Sequence, residues 1–258
     1  MRDLPDKGYS NYNIWLPFRG EFGSRLWWFV PAFGAAKHPK LICHEGHQKC
    51  LYPDADEYYE VPSPENYNQT SATGAPGDAV LFDQIMTNFG KANYIFPTEV
   101  SHWPKSPVFV KPLKDYTIFP DVVLCKRMKT ANFGSIWYHW DDVGNALNRA
   151  GYSVYFADNF NTDEISWAMM HAKVVLTVHT GSCFLCQYVS VHPWILTTSE
   201  GRGGVCGAPF LDTGILKNCD ISKVGWTVIP LWEKPEAVVD VILNYLKTGE
   251  NRFKGRMK

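Results

Sequence analysis

The chain has almost no net charge. Across its 258 residues, 25 Lys and Arg face 26 Asp and Glu, a formal charge of −1. Without a basic surplus there is no chain-wide field to draw it onto nucleic acid, although a local patch is compatible with this balance. A long apolar run is also missing: none approaches the ~18–20 residues of a membrane span. Met1 to Ser10 is polar and lacks the apolar core of a signal peptide. The expectation is a soluble, cytoplasmic protein without a membrane span. The seven Cys are an odd number without a secretory signal, so reduced thiols are expected rather than a disulfide framework. No internal repeat or low-complexity tract is present. Aromatic residues, by contrast, are plentiful, at 15% with ten Trp. They can fill large cores or offer stacking platforms to bases and sugar rings. The 45% hydrophobic and 20% charged shares are those of an ordinary globular protein. The length suits one large domain or two of roughly 100–130 residues.

Strand-like and helix-like segments alternate. Strands are predicted at Asn13 to Phe18, Lys40 to Cys43, Glu57 to Val61 and Asn93 to Phe96. A helix over Ser24 to Ala36 carries Pro31, which should kink or shorten it. Pro62 to Asp78 reads as a long loop, and Ala79 to Phe89 as a helix. Pro97, Pro104, Pro107, Pro112 and Pro120 mark a linker. A second alternating unit follows, with strands at Val122 to Cys125, Ser153 to Ala157, Val174 to Val178, Pro193 to Thr197 and Val228 to Leu231. Helices are predicted around Trp140, Val143 and Leu147, over Asp163 to Ala172, from near Cys183, and over Pro235 to Leu246. Strands alternating with helices imply parallel sheets with covered faces. The expected fold class is therefore α/β, with two Rossmann-like lobes (residues 1–115 and 116–258) and a cleft between them.

The run Val174 to Val178 is apolar and β-branched, as in a strand covered on both faces. Thr180, Gly181 and Ser182 can turn the chain and cap the next helix. Such a turn offers backbone N–H groups and a dipole end to phosphate. In open α/β sheets, ligands bind beyond the carboxyl ends of strands, and the distinctive polar residues follow that rule. Arg19-Gly20-Glu21-Phe22-Gly23 follows the first strand and His44-Glu45-Gly46-His47 the second. Lys126, Arg127 and Lys129 follow Val122 to Cys125, and Asp158 follows Ser153 to Ala157. His179, Thr180, Gly181 and Ser182 follow Val174 to Val178, and Glu200 follows Pro193 to Thr197.

In this arrangement the chain resembles GT-B fold glycosyltransferases of the heptosyltransferase kind. Gly20-Glu21 resembles their Gly-acidic pair after the first strand. Lys126-Arg127 resembles the basic pair after the first strand of their second lobe. His179-Thr180-Gly181-Ser182 is similar to their small-residue turn, with His179 where an Asp usually stands. The resemblance implies sugar transfer from a nucleotide-diphosphate sugar, such as a UDP-sugar, used as co-substrate with no bound cofactor or essential metal. Glu21 is the expected catalytic base, with Gly20 and Gly23 letting the backbone bend close to ligand. The acceptor side takes Arg19, Gly20, Phe22, Gly23, Glu45 and His47. The donor side takes Lys126, Arg127, Asp158, His179, Thr180, Gly181, Ser182 and Glu200, which supply cations and donors to the departing diphosphate.

The implied acceptor is a glycan or lipid-linked saccharide. A hydroxymethylated DNA base is an alternative, as in bacteriophage enzymes of this fold, with Lys105, Lys111 and Lys114 as phosphate contacts. A nucleotide-sugar epimerase and a non-catalytic nucleotide- or sugar-binding module are the rival classes. Cys43, His44, His47 and Cys50 match no familiar zinc spacing. Cys183 and Cys186 form a C-x-x-C at a helix start, where thiol pKa falls; packing of small apolar thiols is the preferred reading.

Overall fold

Val122, Val123, Leu124 and Cys125 are buried throughout and form a strand, and Val174–Thr177 lies parallel beside it. Short apolar runs with no polar face suit strands covered on both sides. The computed structural model describes residues 8–18, 25–62, 78–106, 108–126, 137–158, 161–178, 181–196, 225–231 and 233–253. The chain divides into two compact units, Met1–Val108 and Phe109–Lys258.

The first unit holds β1 (Asn13–Trp15), β2 (Lys40–Glu45), β3 (Glu57–Val61) and β4 (Asn93–Ile95). Their order is β3-β2-β1-β4 and every neighbouring pair is parallel. Ile14 stands opposite Leu41 on one side and Tyr94 on the other. Ile14, Leu16, Leu41, Cys43 and Val61 form a core with Ile85 and Phe89, which belong to α2 (Asp78–Phe89). The helix predicted from Ser24 is divided. Arg25–Phe29 is a π-helical turn, and α1 (Val30–Ala35) follows with Pro31 in its first turn. Pro31 has no N–H for the carbonyl four residues back, so regular α-helix cannot run through that point. Lys40 is wholly buried at the start of β2. Its Nζ donates to the Phe33 carbonyl at 2.9 Å, closing the end of α1, and to Asp54 Oδ2 at 2.7 Å.

The second unit holds β5 (Val122–Cys125), β6 (Val154–Phe156), β7 (Val174–Thr177), β8 (Pro193–Leu196) and β9 (Thr227–Ile229). The order is β6-β5-β7-β8-β9, again all parallel. The helices are α3 (Trp140–Arg149), α4 (Thr162–His171), α5 (Gly181–Tyr188) and α6 (Pro235–Thr248). Trp140, Val143 and Leu147 of α3 and Val238, Val241 and Ile242 of α6 close one core with the strand residues Val122, Leu124, Val174, Leu176, Trp194 and Leu196. That is the apolar stripe an amphipathic helix needs. Gly249 ends α6 in the left-handed region at φ 74°. The Asn161 side chain accepts from the Glu164 amide at 3.3 Å at the head of α4.

Within the proline-rich stretch, Pro97–His102 is a 3₁₀ turn. Residues 113–116 are fastened to α4: Asp163 accepts from the Leu113 amide at 2.7 Å and from the Tyr116 hydroxyl at 2.9 Å. Among the described residues no helix is long and apolar enough to cross a membrane. Trp15, Trp137, Trp140 and Trp194 are buried, so these four serve cores rather than stacking surfaces.

Candidate functional site

The carboxyl ends of β6, β5 and β7 are adjacent, because β5 lies between the other two. Leu124 pairs with Phe156 and Cys125 with Thr177, so the three strands stop at nearly the same level. Lys126 follows β5, Asp158 follows β6 by two residues, and Gly181 and Ser182 open α5 beyond β7. These four expected donor-side residues therefore share one edge of the sheet. Arg127, His179, Thr180 and Glu200 lie outside the described residues.

Lys126 is not a solvated strand-end lysine. Its Nζ donates to Asp141 Oδ1 at 2.8 Å and Oδ2 at 2.9 Å, in the first turn of α3. The ammonium lies 5.8 Å from the Phe156 ring centre. The lysine side chain is 16% exposed and the aspartate 65%. Asp141 thus holds the ammonium at the rim while keeping its own outer face in solvent. Asp158 is exposed.

The base of α5 is tied to the strand ends by small polar contacts. Thr177 Oγ1 donates to the Val178 carbonyl at 2.7 Å and Cys183 Sγ to the same carbonyl at 3.4 Å. Ser182 is hydrogen-bonded to Cys125. The helix begins at Gly181, two residues before the predicted start, so the Gly181 and Ser182 amides belong to its first turn. Cys183 and Cys186 are wholly buried. Burial pushes the Cys186 thiol well above its ordinary value and the Cys125 thiol up to about 12. The depressed pKa of a helix-start C-x-x-C is therefore not found at Cys186; the two thiols pack as small apolar groups.

In the first unit, Arg19, Gly20, Glu21, Phe22 and Gly23 lie outside the described residues. His44 and Glu45 are the last two residues of β2 rather than a loop after it, because pairing with β3 continues through His44 opposite Glu60 and Glu45 opposite Val61. Glu45 is buried, its Oε2 accepting from Gln48 Nε2 at 2.8 Å and lying 3.7 Å from His47 Nε2. Gln48 Nε2 is also 3.1 Å from His47 Nε2. Burial first, then the charges of Arg25 and His44, holds the His47 imidazole down at about 4. Among the described residues no three His, Cys, Asp or Glu side chains are grouped to hold a metal. His44 Nδ1 is instead 2.8 Å from the Glu45 carbonyl.

Asp141, Gln48 and Arg25 were not among the residues singled out from sequence. Arg25 had a signal: it is the one charge in the stretch Ser24 to Ala36. Lys111 and Lys114 are exposed, and Lys114 lies 4.7 Å from the Tyr116 ring centre.

No family model matches the chain, and no curated protein does. Among solved structures it is similar to the iron-containing dodecameric glycosyltransferase TibC of enterotoxigenic E. coli H10407. The identity is 15% and the TM-score 0.41, over 76% of this chain and 60% of that one. A second match is the dodecameric iron-containing heptosyltransferase TibC in complex with ADP-D-β-D-heptose. There the identity is 13% and the TM-score 0.41, over 77% of this chain and 63% of that one. The chain thus spans less than two thirds of both structures. At these TM-scores the likeness assigns neither a fold nor an activity.

Proposed function

We propose that the chain is a nucleotide-sugar-dependent glycosyltransferase of GT-B type, moving a sugar to an acceptor hydroxyl by direct displacement. The observation that carries this reading is the convergence of Lys126, Asp158 and the first amides of α5 on one edge of the second sheet. A cation and a set of N–H donors beyond the carboxyl ends of parallel strands suit a diphosphate. Residues 116–258 then act as the donor lobe and residues 1–115 as the acceptor lobe. Lys126, Arg127, His179, Thr180, Gly181 and Ser182 take the diphosphate, while Glu200 and Asp158 take the nucleoside. Glu21 removes the acceptor proton as the sugar–phosphate bond breaks and the diphosphate leaves with both electrons of that bond. No metal is required in this reading, because Lys126, Arg127 and the α5 amides meet the developing charge. The acceptor is a saccharide hydroxyl.

A thermal-shift panel of nucleoside diphosphates, their sugar conjugates and free sugars tests it. One diphosphate and its conjugate should raise Tm, since a ligand at 100 times its Kd adds about 2.7 kcal/mol. Lys126→Met should lower that affinity about 10-fold or more, and Glu21→Gln should bind donor yet lose transfer. No rise with any nucleotide removes the transferase reading. Turnover of the donor without an acceptor points to an epimerase, and acceptor binding that weakens steeply with salt points to DNA.

A further inference from the structure

The first unit contains a buried cation with two nitrogens that have no acceptor among the described residues. Arg25 opens the π-helical turn and has no exposed surface. One nitrogen, Nη2, donates to the Phe18 carbonyl, and the guanidinium lies 5.6 Å from the Phe18 ring centre. Neither Nε nor Nη1 has a hydrogen-bond acceptor among the described residues. A buried donor left unmade costs about 1–3 kcal/mol, and more when it is charged. Glu45 Oε2 faces Gln48 and His47.

The location adds to the chemistry. Phe18 lies just past β1, and His47 lies in the turn after β2, the neighbouring strand. Arg25 reaches both, the first by a hydrogen bond and the second through its charge. That is the ligand-binding end of a parallel sheet. His47, with its side chain 21% exposed, forms the open edge of this otherwise buried group. The group therefore sets one guanidinium with unused donors beside a neutral imidazole and the Glu45 carboxylate, and its exposed member is His47. A π-helical turn inserted at such a point is a feature that recurs at functional sites.

We propose that Arg25 is an oxyanion-binding residue, holding the phosphate or carboxylate group of a ligand beyond the carboxyl ends of β1 and β2, with His47 at the entrance. A guanidinium fits either group through paired N–H donors. Where the transferase reading holds, the ligand is the acceptor, which is then an anionic saccharide rather than a neutral one; only that assignment rests on the reading.

NMR of the full chain tests it, following the His47 ring carbon, assigned by its loss in His47→Gln. The titration is run in chloride, in inorganic phosphate and in acetate at equal ionic strength. A bound oxyanion offsets the Arg25 charge, so the His47 midpoint should rise by roughly one pH unit or more, saturably. A response to phosphate alone identifies a phosphate ligand, and a response to acetate alone a carboxylate. Arg25→Met should raise the midpoint without any anion and abolish the response. Arg25→Lys should keep the low midpoint and bind the anion about 10-fold more weakly, a fork-to-point-charge loss of ~1.4 kcal/mol. No saturable shift with either anion, or an equal shift in a folded Arg25→Met, overturns the proposal. If Arg25→Met does not fold, the wild-type and Arg25→Lys titrations decide. Nucleotide binding is measured on the same samples. Its absence beside an intact anion response removes the transferase reading and leaves the Arg25 site standing.

Discussion

His47 shows how far a single side chain is governed by surroundings that sequence does not display. Burial and the charges of Arg25 and His44 hold its imidazole at about 4, against about 6.5 in an unfolded chain. The unfolded state therefore takes up the proton first. The contribution to stability is whole above pH 6.5 and is lost as pH falls through the window from about 6.5 to about 4. The loss is roughly 3 kcal/mol, from about 1.4 kcal/mol per pH unit. Urea unfolding at stepped pH should show that slope. His47→Gln should flatten it to the smaller slope from His44, whose imidazole is also lowered, chiefly by burial. An unchanged slope in the variant would mean that His47 titrates normally.

At this scale the sequence was uneven. Lys126 stood out because it follows an apolar strand, but Asp141, which fixes it, lies 15 residues away in α3. Only the fold brings them together. Arg25 stood out as the one charge in an apolar helical stretch, but a lone arginine there does not by itself reveal burial.

Elements were more legible, since their signals are local. Val122–Cys125 and Val174–Thr177 read as buried strands from their β-branched, apolar runs alone. Proline 31 announced a break, though not that a π-helical turn would precede it. The ends were harder. Strand β2 runs on through His44 and Glu45 because β3 offers partners, and no local residue encodes that. Packing between elements was equally invisible. Gly144 on α3 faces β6, and a Cβ there would meet the Phe156 ring. Gly144→Ala gains about 1 kcal/mol in helix propensity. Overpacking costs about 1–3 kcal/mol, so a net destabilisation of about 1 kcal/mol is expected in urea unfolding. A more stable variant would mean that Phe156 turns aside freely. The same ring lies near the Lys126 ammonium, so this packing also supports the rim where a diphosphate is proposed to bind.

For the whole molecule, alternation of strands and helices was enough to give two parallel sheets, because short apolar strands need both faces covered. Each sheet ends in a different chemistry. The first unit, Met1–Val108, gathers Arg25, Glu45, His47 and Gln48 at and beyond the ends of β1 and β2; the second, Phe109–Lys258, gathers Lys126, Asp158 and the head of α5 past β5, β6 and β7. The central proposal is that the second set holds a nucleoside diphosphate. Amide hydrogen exchange with and without the diphosphate selected by thermal shift tests it most directly. Slowed exchange at Lys126 and at Gly181 to Cys183, with the first sheet unchanged, is the predicted result. Protection confined to the first unit, or none in either, would contradict it.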